Sequence, residues 1–96
     1  MREYDCNRIL KHKKYFSLKA ELSDCLDICG IKAYGFDTPK GQRGVYFYVD
    51  KADVDRFNSE FLEHYCVRGP QHRFFFSMTS ENKYFASSHV SKSNWK

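Results

Sequence analysis

The stretch from Ile31 to Asp50 constrains the fold more than any other part of the chain, because it alternates with period two on both sides of one turn-forming segment, Thr38-Pro39-Lys40-Gly41-Gln42-Arg43-Gly44. Two paired strands are expected. Successive strand side chains point to opposite faces, so Ile31, Ala33 and Gly35 share one face with Val45, Phe47 and Val49. Lys32, Tyr34 and Phe36 then join Tyr46 and Tyr48 on the other. The first face is aliphatic and suited to lie beneath helices. The second is a plate of rings, which is either kept open for a partner or covered by another part of the chain or a second copy.

Helices that can cover the aliphatic face flank the hairpin. Ser17 reads as an N-cap, and Leu18, Leu22, Cys25 and Cys29 recur at helical spacing with Leu26 beside them. Gly30 supplies the left-handed residue of a C-cap and Ile31 the apolar contact that follows it. After the hairpin, Asp50 and Asp53 open a second helix expected over 51–66, with Val54, Phe57, Phe61 and Tyr65 as its buried stripe and Leu62 alongside. The turn Arg68-Gly69-Pro70-Gln71 stops it.

His72 to Thr79 and Lys83 to Ser87 read as strands joined around Ser80-Glu81-Asn82, and Arg2 to Leu10 alternates weakly as a further strand. Phe74, Phe75 and Phe76 in succession place their strand inside the sheet or under cover on both sides. Strand, helix, strand, strand, helix, strand is the order of a ferredoxin-like α+β sandwich, here expected as an antiparallel sheet of four or five strands with two helices on one face. Residues 1–87 are expected to form a single domain and 88–96 a polar tail that carries Trp95.

A chain of 96 residues needs nearly all its apolar side chains for one core, which leaves little room for a catalytic cavity. No apolar run is long enough to span a membrane and the first residues hold no apolar signal segment, so the expected compartment is the cytoplasm and no membrane partner is expected. There Cys6, Cys25, Cys29 and Cys66 are expected as thiols. Cys25, Cys29, His64 and Cys66 are chemically able to hold zinc, but they lack the short Cys-x-x-Cys knuckle, and Cys25 and Cys29 fall on a stripe filled by leucines; no metal or cofactor is expected. His12, His64, His72 and His89 are not tied by any local pattern to a nucleophile, and no glycine-rich phosphate loop precedes a helix, so an enzyme is not expected.

Basic residues gather at both ends, and acids fill the middle: Glu21, Asp24 and Asp27 on one expected helix, Asp53, Asp55, Glu60 and Glu63 on the other. The second hairpin strand, Arg43-Gly44-Val45-Tyr46-Phe47-Tyr48-Val49-Asp50, partly resembles the octapeptide of RNA-recognition modules, with Arg43, Gly44 and Phe47 matching and Val45, Tyr46 and Asp50 departing. The resemblance implies a sheet on which rings stack on bases. The expected function is that of a small regulatory binding protein, a monomer or homodimer. Tyr34, Phe36, Tyr46 and Tyr48 would stack on single-stranded nucleic acid, free or in a ribonucleoprotein, and Lys32, Lys40, Arg43, Lys11, Lys13 and Lys14 would meet phosphate. The alternative is a compact phage-type inhibitor of a larger nucleic-acid-processing enzyme, engaging its basic groove through the acidic helices.

Overall fold

The computed structural model describes residues 2–62 and 65–90. The elements in chain order are β1 (Arg2–Asp5), α1 (Asn7–Leu10), α2 (Leu18–Ile28), β2 (Ala33–Asp37), β3 (Gly44–Val49), α3 (Lys51–Glu60), β4 (Tyr65–Arg68), β5 (His72–Ser80) and β6 (Lys83–Val90). The six strands form one sheet in the order β1-β4-β5-β6-β3-β2. β1 runs parallel to β4, and every other neighbouring pair is antiparallel. The α+β class stands. The sheet departs from the four or five antiparallel strands expected, having six strands, a parallel pair and its first strand at an edge.

α2 follows its local signals closely. Ser17 Oγ accepts the Ala20 N–H at 3.2 Å, and the helix ends in paired closing bonds from Ile31 N to Leu26 O and from Gly30 N to Asp27 O, both 3.0 Å, with Gly30 at φ 77°. This is the Schellman pattern, and it turns Ile31 into the core. α3 is shorter than expected. The N–H groups of Phe61 and Leu62 both bond to Phe57 O, which closes the helix, and Tyr65–Arg68 leaves as strand β4 rather than as further helical turns. Asp50 precedes α3 without a side-chain cap, while Asp53 accepts the Lys32 N–H at 2.9 Å and ties α3 to the entrance of β2. Arg56 donates to the carbonyls of Cys29 (2.7 Å) and Gly30 (3.0 Å), joining α3 to the C-terminus of α2.

α2 and α3 cover the same side of the sheet, because their buried residues share one core with Val45, Phe47 and Val49 of β3, Val67 of β4, Phe74 and Phe76 of β5, and Tyr84 and Ala86 of β6. Its centre is aromatic: Phe57 lies 4.5 Å from Tyr84, 5.2 Å from Phe61, 5.3 Å from Phe76 and 5.9 Å from Phe47 between ring centroids. The Tyr84 hydroxyl donates to Asn58 Oδ1, which satisfies the one polar atom of that buried ring, and burial still raises its pKa.

Cys6, Cys25, Cys29 and Cys66 are all buried free thiols. Cys6 Sγ lies 4.0 Å from Cys29 Sγ, and contact with Cys6 together with burial pushes the Cys25 and Cys29 thiols up, so both stay uncharged. β6 runs through Val90 and so takes in the first residues of the expected tail. Trp95 lies outside the described residues.

Candidate functional site

Alternation fixes what lies on the side of the sheet away from the helices. On β4, β5, β6 and β3 the core takes Val67, Phe74, Phe76, Tyr84, Ala86, Val45, Phe47 and Val49, so the residues between them point the other way. Strand register arranges these in rows across the sheet. One row is Arg68, Arg73 and His89, and the next is Cys66, Phe75, Ser87 and Gly44. Ser77, Phe85, Tyr46 and Asp37 make the third, and Lys83, Tyr48 and Tyr34 the fourth.

The face therefore carries five rings, those of Tyr34, Tyr46, Tyr48, Phe75 and Phe85, bounded by cations at both ends. Tyr34 and Tyr48 stack at 5.6 Å and 15°, Tyr46 and Phe85 meet at 4.7 Å, and Phe75 takes the edge of His89 at 5.3 Å. Lys83 Nζ sits 5.2 Å from the Tyr46 ring and 5.5 Å from Tyr48, a position in which a cation is attracted to both ring faces. Tyr34 is 51% exposed, and the other four rings are half-buried. Asn82 in the β5–β6 turn holds this corner: its side-chain amide donates to Val49 O (3.2 Å) and to the Tyr34 hydroxyl (3.3 Å).

Gly44 is required by the Phe85 ring, which lies across it; a Cβ there would collide with that ring and come 2.6 Å from Ala86 O. Gly44→Ala is therefore expected to cost about 1–3 kcal/mol and to move Phe85 off Tyr46. Urea unfolding reads the first effect, and the ring-current-shifted Tyr46 and Phe85 proton resonances read the second.

Of the residues the sequence singled out, Tyr34, Tyr46 and Tyr48 come together on this face. Phe36 does not. Gly35 adopts φ 65° and shifts the β2–β3 register between Tyr34 and Asp37, so the chain gains a residue and Phe36 turns to the helix side, stacking on Phe47 at 5.9 Å. Lys32 precedes β2 and, with Phe36, lines a groove of about 370 Å³ between α2 and β2 whose other wall includes Asp24 and Asp27. Lys40 and Arg43 are exposed in the hairpin loop. Lys11, Lys13 and Lys14 belong to the segment before α2. There Lys13 bonds Asp24 at 2.7 Å, and Asp24 also accepts the Tyr15 hydroxyl at 2.6 Å. These two donors hold the Asp24 carboxyl below its ordinary range, while burial and the Asp24 contact raise Tyr15. The three lysines are thus on the helix layer, opposite the rings.

Phe75, Phe85, Lys83, Arg68, Arg73 and His89 complete the face, to which the sequence alone does not assign them. Their signal was the alternation Tyr84-Phe85-Ala86-Ser87, which separates a core side from an outer side once the partner strand is known. Arg68 and Arg73 stand opposite each other on adjacent strands, with Asp5 in register beside Arg68. Arg68 Nε is buried without a hydrogen-bond partner among the described residues.

No group of His, Cys, Asp and Glu among the described residues is placed to hold a metal ion. Cys66 is buried but lies outside the cluster that holds Cys25 and Cys29, and His64 lies outside the described residues. His72 Nδ1 lies 2.7 Å from Glu21 Oε1, an oriented acid–histidine pair, but the same carboxylate accepts the backbone N–H groups of Gln71 and His72, and among the described residues no hydrogen bond joins His72 to a hydroxyl or thiol. No helix among the described residues is long and apolar enough to cross a membrane. Comparison with protein-family models, with curated proteins and with solved structures finds no match to this chain.

Proposed function

We propose that this chain is a non-catalytic cytoplasmic binding protein whose open sheet face takes single-stranded nucleic acid, free or as the exposed strand of a ribonucleoprotein. The observation that carries the reading is the face itself: Tyr34, Tyr46, Tyr48, Phe75 and Phe85 in adjoining rows, with Lys83 among them and Arg68, Arg73 and His89 in the end row. Each ring offers a π-face to a base of any sequence, and cations beside the rings meet the phosphates. Arg68 Nε, buried without a hydrogen-bond partner among the described residues, supplies a donor for a phosphate.

The competing reading, an inhibitor that presents acidic helices to a basic groove, draws less support because four of its acids are engaged internally, leaving Asp27 and Asp55 exposed, with Glu63 outside the described residues. Glu21 holds the β4–β5 turn, Asp24 is bound by Lys13 and Tyr15, Asp53 accepts Lys32 N–H, and Glu60 pairs with Arg56 at 3.4 Å.

The test is an anisotropy titration of labelled single-stranded RNA and DNA, about ten nucleotides long, at about 50 and about 200 mM salt. Binding that weakens with salt is expected. Tyr46→Ala with Tyr48→Ala should weaken it by roughly 1–3 kcal/mol for each lost ring. Failure of the intact protein to bind either strand, or full affinity in the double variant, rejects the proposal.

A further inference from the structure

The segment from α1 into the first turn of α2 is left unexplained by a ligand on the opposite face, and its chemistry points elsewhere. From Asn7 to Ala20 the chain has no acidic residue, while Arg8, Lys11, Lys13, Lys14 and Lys19 are basic. Lys13 folds back onto Asp24, and the other four cations are exposed. Two large apolar side chains stand among them in the open: Ile9 is 67% exposed and Phe16 is 104% exposed.

Neither is loose chain that happens to be bare. Leu10 and Leu18 pack against the core at the two ends of the segment. Phe16 lies between Tyr15, whose hydroxyl donates to Asp24, and Ser17, whose Oγ caps α2, so the backbone on each side of it is anchored while its ring projects into solvent. A folded domain of this size has every reason to bury a phenylalanine and an isoleucine. Held outward amid cations, they match an interface that is apolar inside and anionic outside.

We infer that this segment is a docking surface for anionic lipid bilayers, with Phe16 and Ile9 entering the acyl boundary and Arg8, Lys11, Lys14 and Lys19 lying at the headgroups. One apolar anchor alone gives marginal attachment, and stable attachment needs a second signal such as a basic patch; this segment carries both. Each cation near an anionic leaflet adds to the attraction, which falls off within a Debye length. A nucleic acid would satisfy the cations but not Ile9, which has no π-face to stack on a base. The site is the helix layer, so a bound bilayer leaves the ring face open.

The experiment is co-sedimentation with vesicles of phosphatidylcholine containing about 30 mol% phosphatidylserine, beside vesicles of phosphatidylcholine alone. The intact protein should sediment with the first and stay in solution with the second. The pair Ile9→Ser and Phe16→Ser, which alters only exposed side chains, should reduce binding to the anionic vesicles at least about tenfold with an unchanged circular dichroism spectrum. The pair Lys11→Ser and Lys14→Ser should do so most at low salt. No sedimentation with anionic vesicles overturns the inference. So does undiminished binding of the Ile9 and Phe16 pair, which would mark the segment as a simple polyanion site.

Discussion

Glu21→Ala should lower the unfolding free energy by about 4 kcal/mol, because it strips the carboxylate that satisfies the inner edge of the β4–β5 turn. Glu21 is fully buried on the core side of α2, and its carboxylate accepts the N–H of Gln71 at 2.9 Å and of His72 at 3.1 Å, with His72 Nδ1 at 2.7 Å. Truncation leaves two backbone donors and a ring nitrogen without this partner, at about 1–3 kcal/mol for each group that water cannot reach. A domain this small has roughly 5–15 kcal/mol in total, so the variant should sit near the edge of folding at ambient temperature. Glu21→Gln retains an acceptor oxygen and should keep more than half of the lost stability. Urea midpoints of the three proteins decide it, and a loss below about 1 kcal/mol in Glu21→Ala would mean the turn is held by other means.

Phe57→Ala should cost about 3–5 kcal/mol by opening a cavity at the point where both layers meet. Phe57 is completely buried and touches the rings of Phe47, Phe61, Phe76 and Tyr84, which come from β3, the end of α3, β5 and β6. No one of these can move into the space without leaving the others. The melting temperature should fall by roughly 4–8 °C for each kcal/mol lost, giving a drop of more than about 12 °C by calorimetry. Phe57→Leu, which keeps most of the volume, should lose less than half as much; equal losses for the two would show that the ring contacts, rather than the space they fill, set the cost.

What the sequence disclosed and what it withheld divide along the range of the interactions. Ser17 and Gly30 bound α2 through bonds to residues a few positions away, so their chemistry could be read directly. The aliphatic and aromatic faces of β3 were legible for the same reason. The end of α3 was not, because Val54, Phe57, Phe61 and Tyr65 continue a helical spacing past the point where Leu62 N–H closes on Phe57 O. Phe36 departs from the face that strict alternation predicts because Gly35, in a left-handed conformation, inserts a bulge. Phe75, Phe85 and Lys83 joined the rings only through pairing of β6 with β3, a register that no local pattern encodes. The Glu21–His72 pair is likewise invisible along the chain, since the two lie about fifty residues apart.

The parallel pairing of β1 with β4 bears on how the molecule reaches its native state. Arg2 aligns with Tyr65 and Asp5 with Arg68, so the first strand waits for a partner that is about sixty residues downstream. The β2–β3 and β5–β6 hairpins can close early by short loops, and β6 then docks on β3 to assemble the central sheet. β1 has no place to add until β4 has paired with β5, and should be the last strand to lock. During synthesis its backbone edge stays unsatisfied while most of the domain emerges, which makes it the segment most in need of shielding from other nascent chains.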